Sequence, residues 1–244
     1  MIKKRVFCCS ALLTVLLLSN LYSKNQPESP DPFKKALGHA MKVNVSVALA
    51  EASKNKSDDI YSQLSFAEEP IPLEKDIVKQ RLDKYLKRFA YLKRPNQHIH
   101  KRATQLLPKI EKILTSYGVP ADFKYIAVVE SSLNPKITSH KGAGGYWQFM
   151  PATARLYGLK VNAKVDERRD LVKSTHAAAQ YLSSLYEEFG DWTLVAAAYN
   201  VGNGSLRASL RRQKKDNYYD LKLNSETAAF VYKIISMKTI FENS

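Results

Sequence analysis

The sequence predicts a fold that is all-α or nearly so. Beyond Pro95, apolar residues recur at the three- and four-residue intervals of amphipathic helices, and no convincing alternating strand pattern interrupts them. A hydrophobic content of 45%, with 9 glycines and 10 prolines, is typical of an ordinary globular protein. The 244 residues are enough for one domain with flanking segments and too few for two large domains.

The first 23 residues have the order of segments found in a secretory signal. Three basic residues, Lys3 to Arg5, precede an apolar run from Val6 to Leu18, and small polar residues follow up to Ser23. A membrane span needs about 20 apolar residues, and this run is shorter. We therefore predict a signal peptide at 1–23 that is cleaved rather than retained as an anchor, and export to the periplasm or cell envelope.

Both cysteines, Cys8 and Cys9, lie inside this apolar run. A cleaved chain would hold no cysteine, which excludes disulfides, thiol catalysis and cysteine-metal sites. The five histidines show neither H-x-x-H nor H-E-x-x-H spacing. We therefore expect neither a metal nor any other cofactor.

The chain is strongly basic. Its formal net charge is +15, and removing Lys3, Lys4 and Arg5 with the signal would leave +12. Nucleic acid is the usual partner of such a chain, but an exported protein meets little of it. We interpret the charge as long-range attraction to an acidic matrix such as the cell wall or outer envelope. A solvated basic face without a partner remains the alternative.

Composition divides the rest of the chain into three parts. Residues 24–72 are rich in Ser, Asn, Lys and Pro, which predicts a flexible linker. From Leu73 the apolar spacing gives an amphipathic helix that Pro95 ends, so 73–95 are predicted to form an N-terminal helical arm. Residues 96–244 are predicted to form the main helical domain.

Three helices of this domain are especially clear. One covers about 170–189, with apolar residues at helical intervals, and Gly190 ends it. A second covers about 191–199. A third, broadly apolar, covers 226–240 behind two candidate capping residues at 224–225.

A further helix, opened by Pro120 and Asp122, leads into Glu130. Residues 123–129 are apolar around almost the whole circumference, which indicates a buried helix with Glu130 at the edge of the core. Burial disfavours the ionised form of a carboxyl group and raises its pKa, as a general acid near neutral pH requires. From this helix alone, a structural glutamate that turns to water or caps a neighbour remains the alternative.

A glycine-rich loop and an aromatic cluster follow at 140–151. Glycines permit turns that other residues avoid, and they let a bulky ligand approach the main chain. Aromatic rings beside amide and hydroxyl groups suit a sugar, which offers apolar ring faces and hydroxyls. Taken alone, Trp147 is more typical of a core residue than of a sugar-binding platform.

Five sequence blocks in this order resemble the signature of the lytic transglycosylase domain of the lysozyme-like superfamily. They are E-S-S-L-N-P at 130–135, G-A-G-G-Y-W-Q-F-M-P-A-T-A at 142–154, D-E-R-R-D at 166–170, A-A-Y-N-V-G at 197–202 and E-T at 226–227. The resemblance covers roughly Leu73 to the C-terminus. It implies a lysozyme-like helical catalytic domain at 96–244, preceded by the helical arm.

The resemblance implies a peptidoglycan lytic transglycosylase. Such an enzyme cleaves the β-1,4 bond between N-acetylmuramic acid and N-acetylglucosamine and forms 1,6-anhydro-N-acetylmuramic acid. Glu130 would be the single catalytic carboxylate, because a substrate that supplies its own nucleophile removes the need for a second one. The partner would be peptidoglycan glycan strands rather than nucleic acid, the protein would be a monomer, and association with the membrane or envelope stays open.

Position in the family motifs also implies which residues bind the substrate. Ser139 would contact the N-acetyl region, Gln148 and Met150 would line the cleft, and Tyr199 could donate a hydrogen bond to the acid or the N-acetyl oxygen. Glu226 is interpreted as structural, because the helix dipole stabilises an acidic residue in a first turn. The full set of predicted substrate-binding residues is Ser139, Tyr146, Gln148, Met150, Tyr199 and Asn200.

Two other functions remain open at this stage. A goose-type lysozyme-like hydrolase would keep the fold but admit water to the reaction. A non-catalytic wall-binding protein would keep the fold with a decayed site, although intact Glu130, Gln148 and Tyr199 argue against decay.

Overall fold

The computed structural model describes residues 64–93 and 98–242. The predicted signal and most of the predicted linker lie outside these ranges. Within them the regular secondary structure is helical apart from one short antiparallel hairpin and three isolated β-bridges, which confirms the predicted fold class. The hairpin pairs β1 (Ser65–Phe66) with β2 (Glu69–Pro70). The α-helices are α1 (Asp76–Phe89), α2 (His98–Ser116), α3 (Lys124–Ser131), α4 (Pro151–Leu156), α5 (Leu171–Phe189), α6 (Trp192–Val201), α7 (Asn203–Gln213) and α8 (Thr227–Glu242).

The described end of the predicted linker, 64–72, packs against the helices. The Phe66 ring is fully buried, and its centroid lies 5.3 Å from that of Phe123. The backbone N–H of Ala67 donates a hydrogen bond of 2.8 Å to Oδ2 of the buried Asp122. The polar composition of 24–72 suggested a linker, but its last residues are held by the buried Phe66 and Ile71 and by further hydrogen bonds from Trp192 to Glu69 and from Lys238 to Ser65.

The predicted helical arm shares the core of the main domain. Helix α1 packs against α8, and its buried positions are Val78 and Leu82, which lie four residues apart on one face. Burying a side chain of this size stabilises the folded state by about 1.5–3 kcal/mol. Residues 73–93 are therefore not packed separately from the helices that follow them.

Side chains and a glycine cap the helix ends near the site, and Gly190 ends α5 as predicted. The Asp170 carboxylate accepts the N–H of Lys173 at the start of α5, and Gly190 ends that helix with a φ of 65°. The Asp191 carboxylate accepts the N–H of Leu194 at 2.7 Å at the start of α6. Polar side chains at the starts and a glycine at an end thus fix the two boundaries that position the site.

Helix α8 lies at the centre of the described part. It packs against α1, α3 and α6, and residues around its whole circumference are buried. The Asn224 side chain accepts the N–H of Thr227 at 2.9 Å and so caps its start, as predicted. In the two described ranges, none of the helices is both long enough and apolar enough to cross a membrane.

Candidate active site

The end of α3 positions Glu130. Helix α3 stops at Ser131 because Ser132 adopts a left-handed conformation with a φ of 52°. The buried Ser131 hydroxyl lies 3.0 Å from the carbonyl of Ala127 and 2.9 Å from that of Tyr146, within hydrogen-bonding distance of both. Glu130 is thus held at a helix end that is tied to the glycine loop.

Glu130 lines a cavity of about 590 Å³. The rest of the lining comes from the glycine loop with the start of α4, from α5 and the end of α6, and from Glu226 immediately before α8. Five of the six residues predicted to bind substrate line this cavity together with Glu130, namely Ser139, Gln148, Met150, Tyr199 and Asn200.

Tyr146, the sixth, is not among the residues that line this cavity. The neighbouring Trp147 lies in the core. Its indole is fully buried and donates a hydrogen bond of 3.1 Å to the Thr175 hydroxyl. Tyr146 is half-buried. Burial raises its pKa, the charge of Asp170 raises it further, and Arg102 lowers it. The structure therefore does not bring Tyr146 to the other predicted site residues, and Trp147 is a core residue.

A buried arginine holds the glycine loop in shape. The Arg168 guanidinium donates hydrogen bonds to the carbonyls of Gly142 at 2.7 Å and Phe149 at 2.8 Å. It also binds both carboxylate oxygens of Asp166, at 2.8 and 2.9 Å. A Cβ at Gly145 would lie 1.9 Å from the carbonyl oxygen of Arg168, so only glycine fits there. The D-E-R-R-D block thus supports the loop that carries Gln148 and Met150.

The polar groups of the loop are partly satisfied from within it. The Gln148 amide nitrogen donates to the carbonyls of Ile137 at 3.2 Å and Gly145 at 3.0 Å. The Ser139 hydroxyl oxygen accepts the N–H of Ala143 at 3.0 Å. Gln148 can therefore offer its carbonyl oxygen to a ligand, and Ser139 can offer its hydroxyl proton.

Tyr199 links the two sides of the cavity. Its hydroxyl donates a hydrogen bond of 2.6 Å to the carbonyl of Trp147. Burial, followed by the charge of Glu130, raises its pKa well above the ordinary value, so the hydroxyl stays protonated. The sequence suggested that the Tyr199 hydroxyl donates to the acid or to the substrate. In the structure it donates to the Trp147 carbonyl instead, because this carbonyl lies within hydrogen-bonding distance. The Tyr199 oxygen remains able to accept.

The electrostatics of Glu130 match the requirement for a general acid. Burial is the largest cause that raises its pKa, and the nearby Glu226 carboxylate raises it further, while Lys233 lowers it. The resulting pKa of Glu130 is about 7. A carboxyl group with this pKa is protonated in about half of the molecules at neutral pH, so it can donate a proton and accept one back.

Glu226 was interpreted as structural, and the structure places it on the cavity. Asn200 lies beside it, with its amide nitrogen 3.5 Å from a Glu226 oxygen and its carbonyl oxygen 2.8 Å from the Thr227 hydroxyl. The E-T block was a signal for this position, but its place before a helix suggested only a capping role. His140, Lys141 and Tyr181 also line the cavity and were not predicted.

No metal site accompanies the cavity in the part of the chain that the structure describes. Its His, Asp and Glu side chains form no group of three suited to an ion. The cavity lining offers one carboxyl group with a raised pKa, a second carboxylate, and several hydroxyl and amide groups.

The chain is similar in sequence to known lytic transglycosylases. The family model described as transglycosylase SLT domain matches residues 109–222. The chain is 34% identical over 176 residues to the membrane-bound lytic murein transglycosylase D of Escherichia coli, which covers 70% of this chain and 38% of the relative. It is 33% identical over 90 residues to the soluble lytic murein transglycosylase of Escherichia coli, which covers 35% of this chain and 14% of the relative.

Two solved structures align with the chain. Lytic transglycosylase Slt of Pseudomonas aeruginosa gives a TM-score of 0.48 at 18% identity, and covers 90% of this chain and 38% of that one. The 70 kDa soluble lytic transglycosylase of Escherichia coli gives a TM-score of 0.44 at 20% identity, and covers 69% of this chain and 34% of that one.

Residues 109–222 belong to the transglycosylase SLT domain family, which confirms the family that the five sequence blocks indicated. The matched range contains Glu130 and the whole glycine loop, and Glu226 lies just beyond it. The chain spans 38% of the length of the membrane-bound relative.

Proposed function

We propose that this protein is a peptidoglycan lytic transglycosylase. It cleaves the β-1,4 bond between N-acetylmuramic acid and N-acetylglucosamine and leaves a 1,6-anhydro-N-acetylmuramic acid end. The observation that carries the proposal is Glu130, a largely buried carboxyl group with a pKa of about 7 that lines a cavity with Ser139 and Gln148.

The proposed reaction uses Glu130 twice. Protonated Glu130 first donates its proton to the glycosidic oxygen, the bond from that oxygen to C1 of the muramic residue breaks, and the substrate's N-acetyl group meets the positive charge. The ionised Glu130 then accepts the proton of the C6 hydroxyl as the C6 oxygen bonds to C1. Glu130 ends in its starting state and no water is consumed. A pKa near neutrality suits both steps.

The walls of the cavity supply complementary groups for a sugar. The Ser139 hydroxyl proton and the Gln148 carbonyl oxygen can bind the N-acetyl and hydroxyl groups of a glycan. Phe149 and Met150 add apolar surface to the same lining. A site with apolar surface and a few placed polar groups is typical of small-ligand recognition.

Glu226 favours one alternative, a hydrolase of the goose-type lysozyme class. A hydrolase with inversion needs a second carboxylate that activates water on the far side of the sugar. Glu226 lines the same cavity and raises the pKa of Glu130 by charge repulsion. The two reactions differ in their products, since an anhydro end is lighter by one water than a reducing end.

Digestion of purified sacculi followed by mass analysis of the muropeptides tests the proposal. We expect anhydro products from the wild type and from Glu226→Gln, and a loss of about 10²–10⁴-fold in rate for Glu130→Gln, which cannot donate the proton. Reducing ends from the wild type, lost in Glu226→Gln, would instead establish the hydrolase. Sacculi that are bound but not cut would support the non-catalytic alternative.

We also propose that the protein acts as a monomer in the periplasm or cell envelope after cleavage of a signal at 1–23. Its net charge of +15 supports attraction to an acidic wall. Cell fractionation with N-terminal sequencing of the recovered protein, and light scattering for its mass in solution, test these points. An intact N-terminus in the membrane fraction would show a retained anchor.

A further inference from the structure

Two basic residues of the glycine loop have no part in the proposed reaction. His140 and Lys141 line the cavity together with Glu130, and both are exposed to solvent. Among the described residues that line the cavity, Lys141 carries the one ammonium group, and none is an arginine. Within residues 64–93 and 98–242, neither side chain has a hydrogen bond or an ion pair with another residue. Both side chains are therefore free to bind a ligand that enters the cavity.

A tight turn holds these two residues in place. The N–H of Gly142 donates a hydrogen bond of 2.9 Å to the carbonyl of Ser139, which closes a β-turn with His140 and Lys141 at its two central positions. The buried Arg168 guanidinium holds the Gly142 carbonyl at 2.7 Å. Because the backbone of the turn is already ordered, a ligand that binds here has to order little more than the two side chains.

The charges in the cavity indicate which ligand group Lys141 suits. The lining also contains Glu226, a carboxylate that would repel a negatively charged ligand unless a cation lay beside that ligand. An uncharged sugar needs no such cation. Carboxylates form charge-assisted hydrogen bonds with an ammonium group, and an imidazole N–H can donate a further hydrogen bond. Lys141 and His140 together are therefore suited to a carboxylate on the ligand.

The neighbouring Ser139 indicates where on the sugar this carboxylate would lie. In the proposed function Ser139 contacts the N-acetyl group, which is attached to C2 of the muramic residue. The lactyl ether of the same sugar is attached to C3, the adjacent carbon. The two residues that directly follow Ser139 in the turn would thus lie beside the lactyl group. This group ends in an uncharged amide when a peptide stem is attached, and in a carboxylate when the stem is absent.

We propose that Lys141 and His140 bind the free lactyl carboxylate of a muramic residue without a peptide stem, and so make stem-free glycan the preferred substrate. The Lys141 ammonium pairs with the carboxylate, and a ring N–H of His140 donates to it. Strands with stems remain substrates, but their uncharged lactyl amide gains no ion pair. The inference rests on the proposed function and deepens it. It places the enzyme after a hydrolysis of the lactyl amide bond, because that reaction supplies the carboxylate.

The first test isolates the charge of the lactyl group. Glycan strands are freed of their stems with an amidase, and one portion is converted chemically from lactyl carboxylates to primary amides, which have nearly the same size and no charge. We expect the wild-type kcat/KM to be about tenfold higher on the carboxylate strands, because the amide strands lack one charge-assisted contact. The preference should disappear in Lys141→Gln and should largely remain in Lys141→Arg, which keeps the charge.

Lys136→Gln is the matched control for Lys141→Gln. Lys136 is exposed on the same segment and is not among the residues that line the cavity. Removal of its charge should leave the wild-type preference unchanged, and thermal unfolding of each variant checks that it is folded. An equal loss of preference in the two lysine variants would overturn the inference, because it would show long-range attraction of anions instead of a contact. Equal wild-type kcat/KM on the two substrates would overturn it as well.

The second test needs no turnover. The disaccharide N-acetylglucosaminyl-N-acetylmuramic acid, which has a free lactyl carboxylate, and its lactyl amide are each titrated into the Glu130→Gln protein, and binding is followed by NMR. We expect shifts at 139–142 and a Kd about tenfold lower for the carboxylate, a difference that an added Lys141→Gln removes. Carboxylate-dependent binding without cleavage of any strand by the wild type would refute the proposed function and leave this inference intact. Cleavage together with equal Kd values for the two sugars would do the reverse.

Discussion

The two walls of the cavity are held by different kinds of interaction. The loop wall, 139–150, is shaped by the hydrogen bonds of the buried Arg168 and by a turn at Gly145 that only glycine fits. The helix wall, at the end of α6 and the start of α8, rests on apolar packing in which 195–198 are fully buried. One wall therefore depends on a few specific contacts, and the other on many small contacts that can partly replace each other.

This difference matters for a site that needs fixed geometry. A loop without a helical hydrogen-bond ladder must satisfy its carbonyls elsewhere, and Arg168 does so for Gly142 and Phe149. The helix wall satisfies its own backbone with helical hydrogen bonds, and α6 carries Tyr199 and Asn200, the second of which also accepts the Thr227 hydroxyl at 2.8 Å. The Tyr199 hydroxyl bridges the two walls at the Trp147 carbonyl.

The largest effect is expected at the centre of the loop wall. Arg168→Met leaves Asp166 without its principal partner and the Gly142 carbonyl without a donor, while the Phe149 carbonyl keeps only the N–H of Gly144. We therefore expect a loss of about 3–5 kcal/mol in the free energy of unfolding, measured with denaturant. Ile235→Val, at a fully buried position of α8, should cost about 0.5–1.5 kcal/mol. Similar costs for the two variants would contradict the contrast between the walls.

A matched pair of glycines gives the next largest effect. Gly145→Ala would place a methyl group 1.9 Å from the Arg168 carbonyl oxygen at a φ of 76°. Overpacking and the left-handed backbone together predict a loss of about 2–4 kcal/mol and a comparable loss of activity. Gly204→Ala, in α7 with open space around it, should stabilise the protein by about 0.5–1 kcal/mol. A tolerated Gly145→Ala would show that the loop can shift.

Glu130, between the walls, predicts a dependence of stability on pH. Its folded-state pKa of about 7 exceeds the ordinary 4.5, so the folded state binds more protons and stability falls as pH rises from about 4.5 to 7. Glu130→Gln cannot ionise and should be more stable than the wild type at pH 8 by up to about 3 kcal/mol. The difference should close below about pH 4.5. A constant difference across pH would refute the raised pKa.

The bridge between the walls should have a moderate effect. Tyr199→Phe removes the hydrogen bond to the Trp147 carbonyl and should cost about 1 kcal/mol of stability. Without this hydrogen bond the loop wall and the helix wall are held less firmly relative to each other. We therefore expect kcat to fall more than KM rises. Tyr181→Phe is a useful comparison, since Tyr181 lines the same cavity without a bond to the loop carbonyl. Equal kinetics in the two variants would argue against the bridge.

The smallest effect concerns the pH profile of activity. The proposed reaction requires protonated Glu130, so kcat/KM should fall as pH rises through about 7. Glu226→Gln removes a charge that raises the pKa of Glu130, so the basic limb should move to lower pH. Glu188→Gln, on the surface with Arg207 as its partner, should leave the limb in place. A shift to higher pH in Glu226→Gln would contradict the assigned repulsion.

Local features of the sequence were enough to predict much of the fold. The boundaries of α5, α6 and α8 follow from apolar periodicity and from caps at Asp170, Asp191 and Asn224, all of which act within one helical turn. The apolar residues before Glu130 likewise predicted, from neighbouring residues alone, that the Glu130 carboxyl group is buried and that its pKa is raised. The described end of the predicted linker was less predictable, because it is held by contacts of Phe66, Ala67 and Glu69 with residues far away in sequence.

The sequence by itself determined the helices, the family and the burial of Glu130, the proposed acid, because each depends on neighbouring residues or on an ordered set of motifs. Only the tertiary structure decided which distant side chains meet at the cavity. It placed Glu226 beside Glu130, left Tyr146 out of the lining, and gave the Tyr199 proton to a backbone carbonyl. These outcomes depend on how helices and loops far apart in sequence pack together, and periodicity within one helix carries no information about that.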